Sequence, residues 1–201
     1  MESTSETQMG ASASLDEKSK KTLGDYIGDM AAVEEHIEAA LDRQLESVKD
    51  DATALQAVRG WHAMVKEQRE RIKGLESEFG PTAGSPVKKV GATILGAAAG
   101  VIDKVRTEGI SKSIRDDYTA FNLAAIGYTM LHATATALGD ERVAGVAERN
   151  LRGYAAAVQR VNEIVADVVI HELAKDDHKV DPSAAQRTRE IVDKAWKETA
   201  N

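Results

Sequence analysis

Four side chains in this sequence have the type and position of metal ligands. Glu34 interrupts an otherwise apolar stripe at helical spacing, and His62 lies on the apolar face of the next helical segment. Glu67 and Glu70 flank that second face. Carboxylate oxygens and imidazole nitrogens bind iron, manganese and zinc, so these four residues are the candidate metal ligands of the chain.

Other kinds of reactive chemistry find little support. The chain has no cysteine, which excludes disulfides and thiol chemistry. No glycine-rich phosphate loop, nucleophile elbow or catalytic triad order is present. Asp167 and His171 could share a surface zinc ion with Glu172 or His178, although such pairs are common on charged helices. We therefore favour a protein that is not an enzyme.

Charge and hydropathy restrict the partners. The formal net charge is −7 and no run of Lys and Arg occurs, so we expect no nucleic-acid binding. The most apolar stretch, residues 90–102, is shorter than the ~20 residues that span a bilayer, so we expect no membrane insertion. The absence of cysteine fits a cytoplasmic protein.

The prolines divide the chain into helical blocks. There are three, Pro81, Pro86 and Pro182, and they leave residues 15–80 and 87–180 free of proline. Because proline inside a helix costs about 3 kcal/mol, long proline-free stretches rich in Ala, Leu and Glu permit long helices. Two helical blocks joined near Pro81 and a shorter helix after Pro182 are predicted.

Apolar periodicity sets the predicted helices and domain boundaries. Helices are expected over residues 23–48, 55–79, 87–105, 112–138 and from Asp140 to about Leu173, with Gly139 as a C-cap and Asp140 as an N-cap. The last helix should dock through a strip that includes Ile191, Val192 and Trp196. We expect a disordered tail over 1–14, a helical bundle over 15–175, and a linker with a docking helix over 176–201.

Several segments of these helices match a known family. They are residues 32–41 (AVEEHIEAAL), 67–72 (EQRERI), 121–128 (FNLAAIGY), 137–141 (ALGDE) and 146–151 (VAERNL), with Phe79-Gly80 closing the second helix. The chain resembles the YciE/YciF-type ferritin-like proteins, a bacterial family associated with stress responses. The resemblance implies an all-α, ferritin-like four-helix bundle with a helical crossover between its two hairpins and an extra C-terminal helix.

The resemblance also implies a dimetal site that this sequence does not match. Ferritin-like sites take a Glu from each of two helices and a Glu-x-x-His pair from each of the other two. The third helix carries Phe121, Asn122 and Ala124 where the family has Glu-His-Tyr-Glu, and the fourth carries Asn150, Gly153 and Tyr154 at the matching level. A bundle that has lost its metal site is therefore predicted.

Glu34 then requires another explanation. We expect it to lie at the edge of its apolar stripe and reach water or an arginine, as charged side chains usually do. The alternatives are a remnant ligand, or a buried carboxylate hydrogen-bonded to Tyr128 or Tyr154.

The functional hypothesis is a non-enzymatic ferritin-like protein with a stress-associated, scaffolding or oligomerisation role and no cofactor. The alternative is an iron- or manganese-binding protein with an asymmetric site made by Glu34, His62, Glu67 and Glu70. A third possibility is an apolar ligand between the helices, although core packing explains the same residues. Surplus apolar surface on the crossover helix and the C-terminal helix predicts a homodimer.

Overall fold

The computed structural model describes residues 15–79 and 109–198, and these residues form five α-helices without a β-strand. The helices are α1 (Glu17–Ser47), α2 (Ala52–Phe79), α3 (Ile110–Leu138), α4 (Glu141–Lys175) and α5 (Ala184–Glu198). The predicted all-α fold class is confirmed. The predictions for the tail over 1–14 and for the crossover helix over 87–105 lie outside the described residues.

Short polar side chains set where the helices begin. Asp16 accepts a hydrogen bond from the Ser19 backbone N–H at 2.7 Å and caps α1. Asp140 does the same for α4, directly after Gly139, which ends α3 with a left-handed φ of 79°. Because a left-handed φ favours glycine, the Gly139-Asp140 pair makes the tight turn that the sequence predicted.

Helices α1 to α4 form a four-helix bundle in which neighbouring helices run antiparallel. Each of α1 and α4 packs against both α2 and α3. At one end Arg142 of α4 pairs with Glu78 of α2 at 2.6 Å. At the other end the Ser111 backbone N–H of α3 donates to the Glu172 carboxylate of α4 at 3.2 Å. The end of α2 and the start of α3 therefore lie at opposite ends of the bundle, as in ferritin-like connectivity.

The bundle core is aliphatic at its ends and aromatic near its middle. Trp61 of α2 packs edge-on against Phe121 of α3, with ring centroids 5.2 Å apart. Phe121 also contacts Tyr154 of α4, and Tyr154 stacks on Tyr128 with a centroid distance of 6.0 Å. These rings surround the level at which Glu34 lies, so large side chains fill the central part of the bundle.

Helix α5 packs on α4. Ala185 is its buried residue, and Arg189 pairs with Asp167 of α4. Ile191 and Trp196, which were predicted to dock, are 68 % and 55 % exposed in the single chain. Val192 of the same strip is half-buried. Docking through the strip as a whole therefore stays a prediction.

No helix among the described residues is long and apolar enough to cross a membrane.

Candidate functional site

A buried carboxylate lies at the centre of the bundle. Glu34 is 0 % exposed, near the middle of α1. The Tyr128 hydroxyl donates to Glu34 Oε1 at 2.6 Å, and the Tyr154 hydroxyl donates to Glu34 Oε2 at 2.6 Å. The expectation that Glu34 reaches water or an arginine at the edge of its stripe was wrong. The alternative, a buried carboxylate bonded to these tyrosines, is what the structure has.

Two buried amides extend the hydrogen bonds to the remaining helix. Asn150 Nδ2 of α4 donates to the Tyr128 hydroxyl oxygen at 2.8 Å. Gln68 Nε2 of α2 donates to the Asn150 backbone carbonyl at 3.1 Å, and both amide residues are at most 1 % exposed. All four helices of the bundle therefore contribute a side chain to one connected set, Glu34, Gln68, Tyr128, Asn150 and Tyr154, which we call the central network.

A glycine makes room for this arrangement. A Cβ added at Gly153 would overlap the Gln68 side-chain amide and lie 3.2 Å from Met64 Sδ. Gly153 stands three residues after Asn150, at the position where a Glu-x-x-His pair would place its histidine. The position is therefore used for the close approach of α2 and α4 rather than for a ligand.

An arginine lies at the edge of the central network. Arg71 Nη1 donates to Asn150 Oδ1 at 3.2 Å, and its other terminal nitrogen pairs with Glu67. The Arg71 side chain is 30 % exposed, so its charge is partly screened by water. It nevertheless adds a fixed positive charge three residues after Gln68, on the side that faces the buried carboxylate.

Burial dominates the electrostatics of the network. Removal from water raises the pKa of Glu34 to about 7, against the lowering effect of the hydrogen bonds from Tyr128 and Tyr154 and of the Arg71 charge. Burial beside Glu34 also raises the pKa of both tyrosines well above the usual value. Glu34 therefore changes between its neutral and charged forms near neutral pH, and the tyrosines stay protonated.

These residues do not fit a dimetal site. Both carboxylate oxygens of Glu34 are engaged by hydroxyl donors, and the other side chains of the network are neutral. Gln68 Oε1 is buried without a hydrogen-bond partner, but it offers one neutral ligand. Within residues 15–79 and 109–198, no group of three potential ligands includes Glu34. One carboxylate cannot balance the charge of two divalent ions in a core.

The other predicted ligands lie apart from Glu34. Glu67 and Glu70 are exposed and pair with Arg71 and with Lys73 of the same helix. His62 is part-buried between α1 and α2, where its Nε2 atom lies 2.8 Å from Asp42 Oδ1. The structure therefore does not bring the four candidates together.

The residues considered for a surface zinc site have other partners. His171 Nδ1 lies 2.6 Å from Asp51 Oδ2, at the start of α2. Asp167 pairs with Arg189, and Glu172 accepts from the Ser111 backbone. Among the described residues, these four do not form a group of three potential ligands.

Asp117 of α3 is a second buried carboxylate, and its burial was not predicted from the sequence. It is 8 % exposed, burial raises its pKa to about 7, and its Oδ2 atom has no hydrogen-bond partner. Its spacing from the buried Ile114 and Phe121, three and four residues away, places it on the inner face of α3. This spacing could have indicated burial of Asp117 from the sequence, since the helical period applies to polar residues as well as to apolar ones.

Comparison with known proteins places the chain in a family. A family model described as a domain of unknown function, DUF892, matches residues 18–174, so the chain belongs to this family. Comparisons with curated proteins and with solved structures gave no match. The matched range covers the four-helix bundle, and the family description assigns no activity.

Proposed function

We propose that this chain is a non-enzymatic, ferritin-like protein of the YciE/YciF type in which the central network replaces a dimetal site. Its role would be scaffolding or oligomerisation in the cytoplasm of a stressed bacterial cell. The observation that carries the proposal is the Glu34 carboxylate, held on both oxygens by Tyr128 and Tyr154 at 2.6 Å.

Charge balance is the first support. Two divalent ions bring about four positive charges, which ferritin-like sites balance with carboxylates from all four helices. Here α2 offers Gln68, α3 offers Tyr128 and α4 offers Asn150 and Tyr154. Arg71 adds a positive charge at the edge. The centre of the bundle is therefore suited to a single carboxyl group and its hydroxyl donors.

Access is the second support. Every side chain of the central network is at most 1 % exposed, and the aromatic rings of Trp61 and Phe121 pack beside it. A substrate would need a path to Glu34, which the core formed by residues 15–79 and 109–198 does not offer. The network therefore acts on the geometry and stability of the bundle rather than on a substrate.

Metal analysis tests this proposal. Untagged protein is produced in cells supplied with iron and manganese and analysed by plasma emission spectrometry beside Glu34→Ala and the exposed control Glu70→Gln. We expect well under one equivalent of iron or manganese bound at the centre of the bundle, so the metal content of Glu34→Ala should equal that of the wild type. Two equivalents of iron that disappear in Glu34→Ala would refute the proposal and favour the asymmetric site of Glu34, His62, Glu67 and Glu70.

Self-association is the second part of the proposal. Ile191 and Trp196 present large apolar surface on α5, at 68 % and 55 % exposure in the single chain. Apolar surface of this kind is commonly covered by a two-fold partner. We expect a homodimer in light scattering that becomes a monomer in the double variant Ile191→Glu, Trp196→Glu. A wild-type chain that stays monomeric at high concentration would refute the dimer.

A further inference from the structure

A cluster of three potential metal ligands lies between α1 and α2, away from the central network. Glu38 and Asp42 are four residues apart on α1, and His62 faces them from α2. One ligand atom from each residue lies within 4.8 Å of the other two. Residues four apart on a helix share a face, so α1 presents both carboxylates towards the same imidazole.

The buried His62 nitrogen has an acidic neighbour but makes no hydrogen bond. His62 Nε2 lies 2.8 Å from Asp42 Oδ1, yet it has no hydrogen-bond partner. A neutral imidazole nitrogen that makes no hydrogen bond can bind a metal ion through its in-plane lone pair. Ligand atoms around 2.0–2.2 Å from a tetrahedral ion lie about 3.3 Å apart, so the His62 and Asp42 atoms, now 2.8 Å apart, would separate slightly to share an ion.

The third ligand is held in place by an outer partner. Arg69 Nη1 donates to Glu38 Oε2 at 2.6 Å, and the Glu38 side chain is 14 % exposed. A carboxylate has two oxygens, so Glu38 can keep this hydrogen bond on one oxygen and bind an ion with the other. Such outer contacts orient the ligands of metal sites. Asp42 is 60 % exposed, which leaves the outer side open to water ligands.

We propose that Glu38, Asp42 and His62 bind one divalent transition-metal ion at the α1–α2 surface, with Zn²⁺ as the probe. One imidazole and two carboxylates suit Zn²⁺, Mn²⁺ and Fe²⁺, and the open outer side allows water to complete the coordination. The site has no ligand in common with the central network, because Glu34 belongs to no ligand group in the described part of the chain, although the Glu38 charge acts on the pKa of Glu34. An ion bound here would hold α1 and α2 together.

Calorimetric titration of the untagged full chain with ZnCl₂ tests the site. We expect one equivalent of Zn²⁺ to bind, with binding weakened in Asp42→Asn and His62→Gln by more than the about 10–100-fold that loss of an outer partner costs. The matched controls are Glu70→Gln, an exposed carboxylate of α2, and His36→Gln, a histidine of α1 outside the cluster. Both controls should bind as the wild type does.

Two results would overturn the inference. One is a wild-type Kd weaker than about 1 mM, which corresponds to only ~4 kcal/mol of binding free energy. The other is unchanged Zn²⁺ affinity in Asp42→Asn, whose exposed position means that the variant should fold normally. Melting temperatures without metal check the fold of His62→Gln. Retention of Zn²⁺ binding in Glu34→Gln would separate this site from the central network, whereas its loss there alone would assign the ion to the centre and contradict both proposals.

Discussion

Replacement of Glu34 by Gln gives the sharpest test of the central network. Glutamine keeps the shape of the side chain and resembles the protonated form of the carboxyl, with one oxygen to accept from a tyrosine. The pKa of Glu34 is about 7 in the folded protein because burial disfavours the charged form, against a reference value of 4.5. The variant therefore removes a titration while it leaves the packing in place.

The direction in which stability changes with pH follows from the number of protons that the folded and unfolded chains bind. Between pH 4.5 and pH 7 the folded chain keeps the Glu34 proton and the unfolded chain has lost it. Unfolding then releases a proton, so the free energy of unfolding falls as the pH rises through this window. At about 1.4 kcal/mol for each pKa unit, the Glu34 contribution falls by about 2–3 kcal/mol between pH 5 and pH 8.

The assay is urea unfolding of wild type and Glu34→Gln at closely spaced pH values from 5 to 8. The free energy of unfolding of the variant, relative to wild type, should rise by about 2–3 kcal/mol across this range. The exposed control Glu70→Gln should stay within about 0.5 kcal/mol of wild type. A difference between Glu34→Gln and wild type that does not change with pH would show that Glu34 is ionised throughout, and the reasoning would fail.

Further substitutions test the surroundings of this carboxyl by the same unfolding measurement. Tyr128→Phe and Tyr154→Phe should each lower the free energy of unfolding by about 1.5–3 kcal/mol. The loss should be larger for Tyr128→Phe, because the Tyr128 hydroxyl also accepts a hydrogen bond from a buried amide. Equal losses would contradict the geometry. Gly153→Ala should cost about 1–3 kcal/mol through overlap, whereas Gly74→Ala, with open space around it, should gain up to about 1 kcal/mol. Asp117→Asn should gain stability relative to wild type as the pH rises towards 7 and level off above it, because burial raises the pKa of Asp117 from 3.8 to about 7; a flat difference between pH 5 and pH 7 would count against that pKa.

The helices were predictable because their signals are local. Long proline-free stretches and apolar periodicity indicated each described helix, and the end of α3 at Leu138 followed from Gly139 and Asp140. The start of α1 was harder to predict. It lies at Glu17, six residues before the first residue of the predicted stripe, because the Asp16 side chain caps the helix in a polar segment without apolar periodicity.

The central network was only partly predictable because it depends on the register between helices. The sequence placed Glu34 on an apolar stripe, but such a stripe is broad, and the sequence pattern does not distinguish a residue at its edge from one at its centre. Its hydroxyl donors lie 94 and 120 residues further along the chain. Packing decides which turns face each other, so Tyr128 and Tyr154 could be named as alternatives but not selected from the local pattern.

The central network can fix the register of the four helices, a task that bound metal performs in ferritin-like sites by taking ligands from each helix. Tyr128 and Tyr154 tie α3 and α4 to Glu34 on α1, and Gln68 ties α2 to the backbone of α4. A slip of one helix by one turn would leave buried donors or acceptors unpaired, at about 1–3 kcal/mol each. The aliphatic contacts alone discriminate weakly between such registers, because Leu, Ile, Val and Ala recur along every helix. A bundle without metal ligands from each helix can therefore still have one defined register, which supports the structural role that we propose.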